Sequence, residues 1–213
     1  MCYNLGMKIY ICDIKEMQNL PGAELLEESR RIHMQRYLKV EDRARCLAAG
    51  LMLRTVLGRD RTALVQRSHL GKPYLPGGIC FNLSHSGSKV VLAVDEAEVG
   101  IDIEQITPWS TAVARQVFTA DEQKWLLRQS TDAAFYRLWT GKEAIMKALG
   151  LGFQLPPESF EILPDSIGPN PVCGRGWFLH WQEIDGHMIC TASERAQAPE
   201  AIVSLTRERL LAY

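Results

Sequence analysis

Paired cysteines, long apolar runs and an excess of either charge are all missing from this 213-residue chain. Its six cysteines (Cys2, Cys12, Cys46, Cys80, Cys173 and Cys190) form no CxxC pair and no regular ladder of spacings. That excludes an obvious zinc site and a disulfide scaffold, and leaves reduced thiols as the simplest reading. No run approaches the roughly 18–20 apolar residues of a membrane span. The opening stretch "MCYNLGMKIYICDIKEM" lacks a charged leader followed by an apolar core, so no signal peptide is expected and a cytoplasmic location is. The formal net charge of -1 gives no global cationic field, so neither nucleic acid nor an anionic membrane is expected as partner. GxxxxGK[ST], GxGxxG and HExxH are absent, and "LSHSG" lacks the GxSxG context of a nucleophilic serine.

What is present reads as an ordinary globular composition, 46% hydrophobic and 23% charged, enough for one compact unit or two small ones sharing a core. "MKIYICDI" (7–14) has the β-rich character that opens a sheet. "AELLEESRRIHMQRYL" and "EDRARCLAAGLMLRTVLG" read as two amphipathic helices, the second stopped by Gly58. "GKPYLPGG" is turn-rich and predicts no regular element. "ICFNLSHSG", "KVVLAVDE" and "VGIDIE" read as successive strands. After Pro108 the pattern turns helical: Thr119 and Glu122 form a capping box, and "TDAAFYRLWTGKEAIMKALG" makes a longer helix ending at Gly150. "QLPPESFEIL", "GWFLHWQEI", "HMICTAS" and "AIVSLTR" predict the later strands. Helices and antiparallel strands in each half argue for an α+β fold rather than a βαβ array.

Three stretches carry candidate chemistry. In "VGIDIE", Asp102 and Glu104 are i and i+2 on a strand and so share a face. Two repelling acids there are either a solvated edge or a hard-cation site, since magnesium takes carboxylate, phosphate and water oxygens. Gly100 beside them lets a ligand or another backbone come close. In "WTGKEAIMKALG", Glu143 and Lys147 share a helical face, with Trp139 one turn earlier. They are either a surface ion pair or a third acid plus a cation that neutralises developing charge. Together the two stretches supply three acids and a lysine, a set suited to pyrophosphate chemistry. In "FNLSHSG", Ser84 and His85 precede a turn glycine; with "GKP" (Gly71, Lys72 and Pro73) and Arg45 they are either structural or a basic pocket for a phosphate monoester. Gly141, inside the key helix, costs about 1 kcal/mol relative to alanine and has no role evident in the sequence.

In this order, "EDRARCLAAGLMLRTVL", "GKP", "FNLSHS", "VGIDIE" and "FYRLWTGKEAIMKALGLG" resemble the 4'-phosphopantetheinyl transferases of the surfactin-synthetase-activating type, over nearly the whole chain. The pairing of "GIDIE" with "WxxKEAxxK" about forty residues later is the specific part. The resemblance implies a magnesium enzyme that moves the phosphopantetheine arm of coenzyme A onto a serine of an acyl or peptidyl carrier protein, releasing adenosine 3',5'-bisphosphate. It implies Asp102, Glu104 and Glu143 as metal ligands, and Glu143 and Lys147 as catalytic residues. Arg45, Gly71, Lys72, Pro73, Asn82, Ser84 and His85 are implied around coenzyme A. Arg30, Arg31, His33 and Arg36 are further basic candidates in the first long helix. The implied fold is a monomer of two similar α+β halves related by a pseudo-twofold, 1–104 and 105–213, with the active-site cleft between them. Two rival readings are a magnesium-dependent hydrolase of the coenzyme A pyrophosphate, with water as nucleophile, and a noncatalytic carrier-binding module.

Overall fold

A computed structural model describes residues 6–17, 19–129, 131–166 and 168–212; Cys2 lies outside the described residues. The alternation in "KIYICD" produces β1 (Lys8–Asp13). The expected single helix over "AELLEESRRIHMQRYL" is instead a 3₁₀ turn at Ala23–Leu25 followed by α1 (Glu28–Gln35). Leu26 and Glu27 between them have extended backbone, and Leu26 buries itself in the core. Helix α2 (Val40–Leu57) ends as expected at Gly58, whose N–H donates to the Arg54 carbonyl. After the short α3 (Arg59–Thr62), β2 (Gln66–Arg67) pairs with β3 (Pro73–Tyr74), so "GKPYLPGG" does contribute two residues of strand.

Strands β4 (Cys80–Ser86), β5 (Lys89–Asp95) and β6 (Val99–Gln105) follow, then α4 (Thr111–Val117), α5 (Ala120–Gln129) and α6 (Asp132–Leu149). The Thr119–Glu122 capping box is present: Glu122 N–H donates to Thr119 Oγ1 and Thr119 N–H to Glu122 Oε2. Helix α6 ends at Gly150 in the left-handed region (φ 69°). No strand forms in "QLPPESFEIL", which holds a 3₁₀ turn at Pro157–Ser159. Its backbone is claimed by side chains instead. Lys142 Nζ donates to the Pro157 and Phe160 carbonyls, and Glu122 Oε1 accepts the Ile162 N–H. The chain closes with β7 (Asn170–Val172), β8 (Arg175–Ile184), β9 (His187–Ser193), β10 (Val203–Ser204) and α7 (Arg207–Leu211).

The fold is α+β. One four-stranded sheet has the order β10-β1-β5-β4, antiparallel except for the parallel pairing of β10 with β1. The other has the order β6-β9-β8-β7 and is antiparallel throughout. Three apolar clusters follow. Helix α2 packs on the first sheet through Leu47, Leu51 and Met52 against Leu92 and Phe81. Helix α6 packs on the second through Leu138, Ile145 and Met146 against Trp177 and Cys190. A third cluster joins Ile9, Val91 and Ala93 of the first sheet to Ile101, Ile103 and Ile189 of the second. Among the described residues no helix is long and apolar enough to cross a membrane.

Candidate active site

Strand β6 puts Val99, Ile101 and Ile103 into the cluster between the sheets. By the period of two, Gly100, Asp102 and Glu104 face the other way, onto α6. A Cβ on Gly100 would overlap the Ala144 carbonyl oxygen and lie 2.7 Å from the Ala148 nitrogen, so only glycine lets the helix backbone come this near the strand. Gly141, one turn earlier, gives room to a different neighbour: a Cβ there would press on Ile162 (2.5 Å) and the Trp181 ring (3.0 Å). The glycine that the sequence left unexplained is a packing residue.

The close approach brings the two motifs together. Lys147 Nζ donates to Asp102 Oδ1 and, at 2.8 Å, to Ser84 Oγ. Ser84 Oγ in turn donates to Asp102 Oδ1 at 2.8 Å, and Ser86 Oγ donates to Glu104 Oε2 at 2.8 Å. Asp102 is only 2% exposed, and its Oδ2 is buried without a hydrogen-bond partner. Asp102, Glu104, Trp139, Glu143 and Lys147 form one wall of a cavity of about 510 Å³. The lining also includes residues of α1 (Arg30, His33), α2 (Asp42, Arg45, Cys46), β2 (Arg67) and β4 (Ser84, His85).

The charges in this cavity perturb one another. Burial holds the Glu143 carboxyl above its ordinary value of 4.5; Asp102 and Glu104 add repulsion and Lys147 opposes it. Burial also raises Glu104, followed by repulsion from Asp102, against hydrogen bonds from Ser86 and Trp139. His85 moves down from 6.5, by desolvation first and then by Arg45 and Lys147. Because its side chain is exposed at the cavity mouth, the two cations are the part of that cause to weigh. Arg30 is lowered by burial first and, among later causes, by repulsion from Arg67.

Whether the acids suit a cation can be judged from the donors themselves. Three mutually repelling carboxylates and one buried, partnerless carboxylate oxygen form the oxygen-donor set that a hard divalent ion prefers. Their chemistry fits. Among the described residues, however, no three acid, histidine or cysteine side chains already converge at ligand spacing. Lys147 sits as counter-ion on Asp102.

The expected coenzyme-phosphate residues divide. Arg45, Pro73, Ser84 and His85 line the cavity. Arg45 is held there by Asp42 Oδ1 and by the Gly87 carbonyl, 2.7 Å away. Ser84 is already engaged by Asp102 and Lys147. Lys72 lies outside this lining: its Nζ bonds Glu98 Oε2 and the Ala148 carbonyl, both at 2.6 Å, at the C-terminal end of α6. Gly71 accepts from Arg67 Nη1 through its carbonyl, and Asn82 is buried with Oδ1 on the Ile101 N–H. Of the basic candidates on the first helix, Arg30 and His33 reach the cavity; Arg36 lines an adjoining one with them. Sequence reading missed Arg67, Cys46 and Ser86. Ser86 carried a signal, two residues after Ser84 on the same strand face; Arg67 carried none.

The sequence model of the 4'-phosphopantetheinyl transferase superfamily matches residues 98–199, the stretch that holds β6 and α6. The chain is 30% identical over 220 residues to the 4'-phosphopantetheinyl transferase Sfp of Bacillus subtilis (strain 168), covering 93% of this chain and 95% of that protein. This chain belongs to the 4'-phosphopantetheinyl transferases. A second relative, the 4'-phosphopantetheinyl transferase ffp of Bacillus subtilis, is 31% identical over 210 residues, covering 92% of each chain. The transferase gsp of Aneurinibacillus migulanus is 37% identical over 135 residues, 60% of this chain and 57% of that one. The long matches take in both sheets of the transferase described here.

Proposed function

We propose that this transferase moves the 4'-phosphopantetheine group of coenzyme A onto a serine hydroxyl of an acyl or peptidyl carrier protein. The observation that carries the reading is the meeting of Asp102, Glu104, Glu143 and Lys147 in one cavity that Arg30, Arg45 and His85 also line. Acids and cations lining one cavity suit a substrate with a pyrophosphate and a separate phosphate monoester.

Asp102, Glu104 and Glu143 are the residues that would hold magnesium, which when bound supplies charge neutralisation and alignment at the pyrophosphate. Glu143 acts as general base and accepts the proton of the carrier serine. The serine oxygen bonds to the β-phosphorus, the bond from that phosphorus to the bridging oxygen breaks, and adenosine 3',5'-bisphosphate leaves. Lys147, released from Asp102, stabilises negative charge growing on the leaving group. Arg45, Pro73 and His85, which line the cavity, hold coenzyme A. We place the work in the cytoplasm, by a monomer of two similar α+β halves, 1–104 and 105–213. Strand β6 lies at their junction, hydrogen-bonded to β9 of the second sheet.

Intact-mass analysis of an apo-carrier incubated with the transferase, coenzyme A and magnesium tests this. One phosphopantetheinyl group should be gained. Bisphosphate released from coenzyme A without any carrier would establish a hydrolase instead, and carrier binding without mass gain a noncatalytic module.

A further inference from the structure

Among the described residues strand β6 has a single strand partner, β9. The backbone N–H groups on its other edge meet the side chains of β4 instead of another backbone. Ile101 N–H donates to Asn82 Oδ1 at 3.1 Å, Ile103 N–H to Ser84 Oγ at 3.4 Å and Gln105 N–H to Ser86 Oγ at 3.0 Å. The period is two on both strands, so one side-chain face of β4 serves one edge of β6. This satisfies donors that would be costly to leave unpaired in the interior.

Two of the three rungs also reach an acid. The hydroxyls of Ser84 and Ser86 donate to Asp102 and Glu104, each at 2.8 Å. A serine that accepts from a fixed backbone N–H has its oxygen pinned, and its one proton is then directed at the carboxylate. Asn82 makes the same backbone bond and, among the described residues, no hydrogen bond to an acid. The molecule therefore contains its own control for what the acid contact adds.

We propose that Ser86 is a positioning residue for Glu104, fixing the aim of that carboxylate toward the divalent cation assigned to the acids above. The inference rests on that metal reading. Ser84 has the same relation to Asp102 but also binds Lys147, so Ser86 is the cleaner position to test. Hydrogen-bond partners that orient a metal ligand typically account for about 10–100-fold in metal affinity.

The experiment is manganese(II) binding to the full chain with coenzyme A and no carrier, read from the EPR signal of the free ion. Asp102→Asn should weaken wild-type binding. Ser86→Ala should weaken it by about tenfold or more, Ser86→Thr should restore it, and Asn82→Ala should leave it within about twofold even where it lowers Tm. Should Ser86→Ala fold poorly, Ser86→Cys keeps the size with a weaker donor and is expected to bind manganese less tightly than wild type. Ser86 variants that lower Tm as Asn82→Ala does, with manganese affinity unchanged, would show that the rungs only join the sheets and overturn the inference alone. If Asp102→Asn leaves binding untouched, the metal reading fails and the inference falls with it.

Discussion

Helices α2 and α6 are both 18 residues long and each lies on a four-stranded sheet, but they meet their neighbours differently. At β6, Gly100 opens onto backbone: its missing Cβ is replaced by the Ala144 carbonyl. On α2, Gly50 opens onto side chains, where a Cβ would meet Arg30 Cδ and Leu26 Cδ2 at 2.6 Å. Backbone cannot give way, whereas a side chain can take another rotamer. The contrast follows the work proposed for each wall. Acids and a lysine around a reacting phosphorus need fixed geometry, while cations that grip a phosphate on flexible stems tolerate slack.

Removing the base should have the largest effect. Glu143→Gln is expected to lower kcat by about 10²–10⁴-fold with the fold retained. Glu143 must be unprotonated to act, and burial beside Asp102 raises its carboxyl above 4.5. Wild-type activity should therefore fall on acidification as Glu143 takes up a proton, at a pH that moves down as magnesium is raised, because a bound cation favours the carboxylate. A pH–rate profile checks both points, and an acid limb unchanged in Glu143→Gln would move the base elsewhere.

The rigidity of the α6 wall is tested next. Lys142 and Glu122 are fully buried and paired at 2.8 Å, and Lys142 lies 4.4 Å from the centre of the Phe160 ring. Lys142→Met strands the Glu122 carboxylate and should cost about 3–5 kcal/mol. The double change with Glu122→Gln should recover part of that in a denaturant titration. Gly100→Ala should cost at least the ~1–3 kcal/mol of ordinary overpacking and disturb activity with it. Gly50→Ala should cost less than Gly100→Ala, because alanine's helix propensity offsets part of the displacement of the Arg30 and Leu26 side chains. Equal losses from the two glycine changes would erase the contrast between the regions.

The smallest effect concerns the basic wall. His85 starts below 6.5 beside Arg45 and Lys147, and a bound phosphate should raise it, so binding takes up a proton. Affinity for adenosine 3',5'-bisphosphate should rise as pH falls from 8 toward 6, until the phosphate itself protonates near pH 6. His85→Gln should flatten that slope by calorimetry while leaving the affinity at pH 8 nearly unchanged.

How much of this was legible depends on the range of the interaction. The alternation in "VGIDIE" and the helical spacing of Glu143 and Lys147 are local, and both faces emerged as read. The Thr119–Glu122 capping box was equally plain, but the second oxygen of Glu122 reaches Ile162 and Lys142, forty and twenty residues away. That distant pairing also diverts the backbone of "QLPPESFEIL" from the strand its composition predicts. Lys72 follows the same logic: a lysine after glycine reads as a phosphate ligand until the fold brings Glu98 and the end of α6 to it. Ser86 was within reach, since strand period puts it beside Ser84; that this face meets the edge of β6 is a tertiary fact.

The parallel pairing of β10 with β1 joins Tyr10 to Val203 and Ile11 to Ser204, while β8 and β9 are joined by a hairpin turn. The first sheet is thus closed by contacts spanning nearly the whole chain, the slow kind of contact to form because a large loop must be ordered first. Leu205 and Leu210, just beyond β10, complete the apolar cluster under α2. On a ribosome, the segment carrying β6, α6 and the β8–β9 hairpin emerges before the strand that finishes the sheet begun by β1. The acid-bearing wall can therefore be assembled while the basic wall still waits for its last strand.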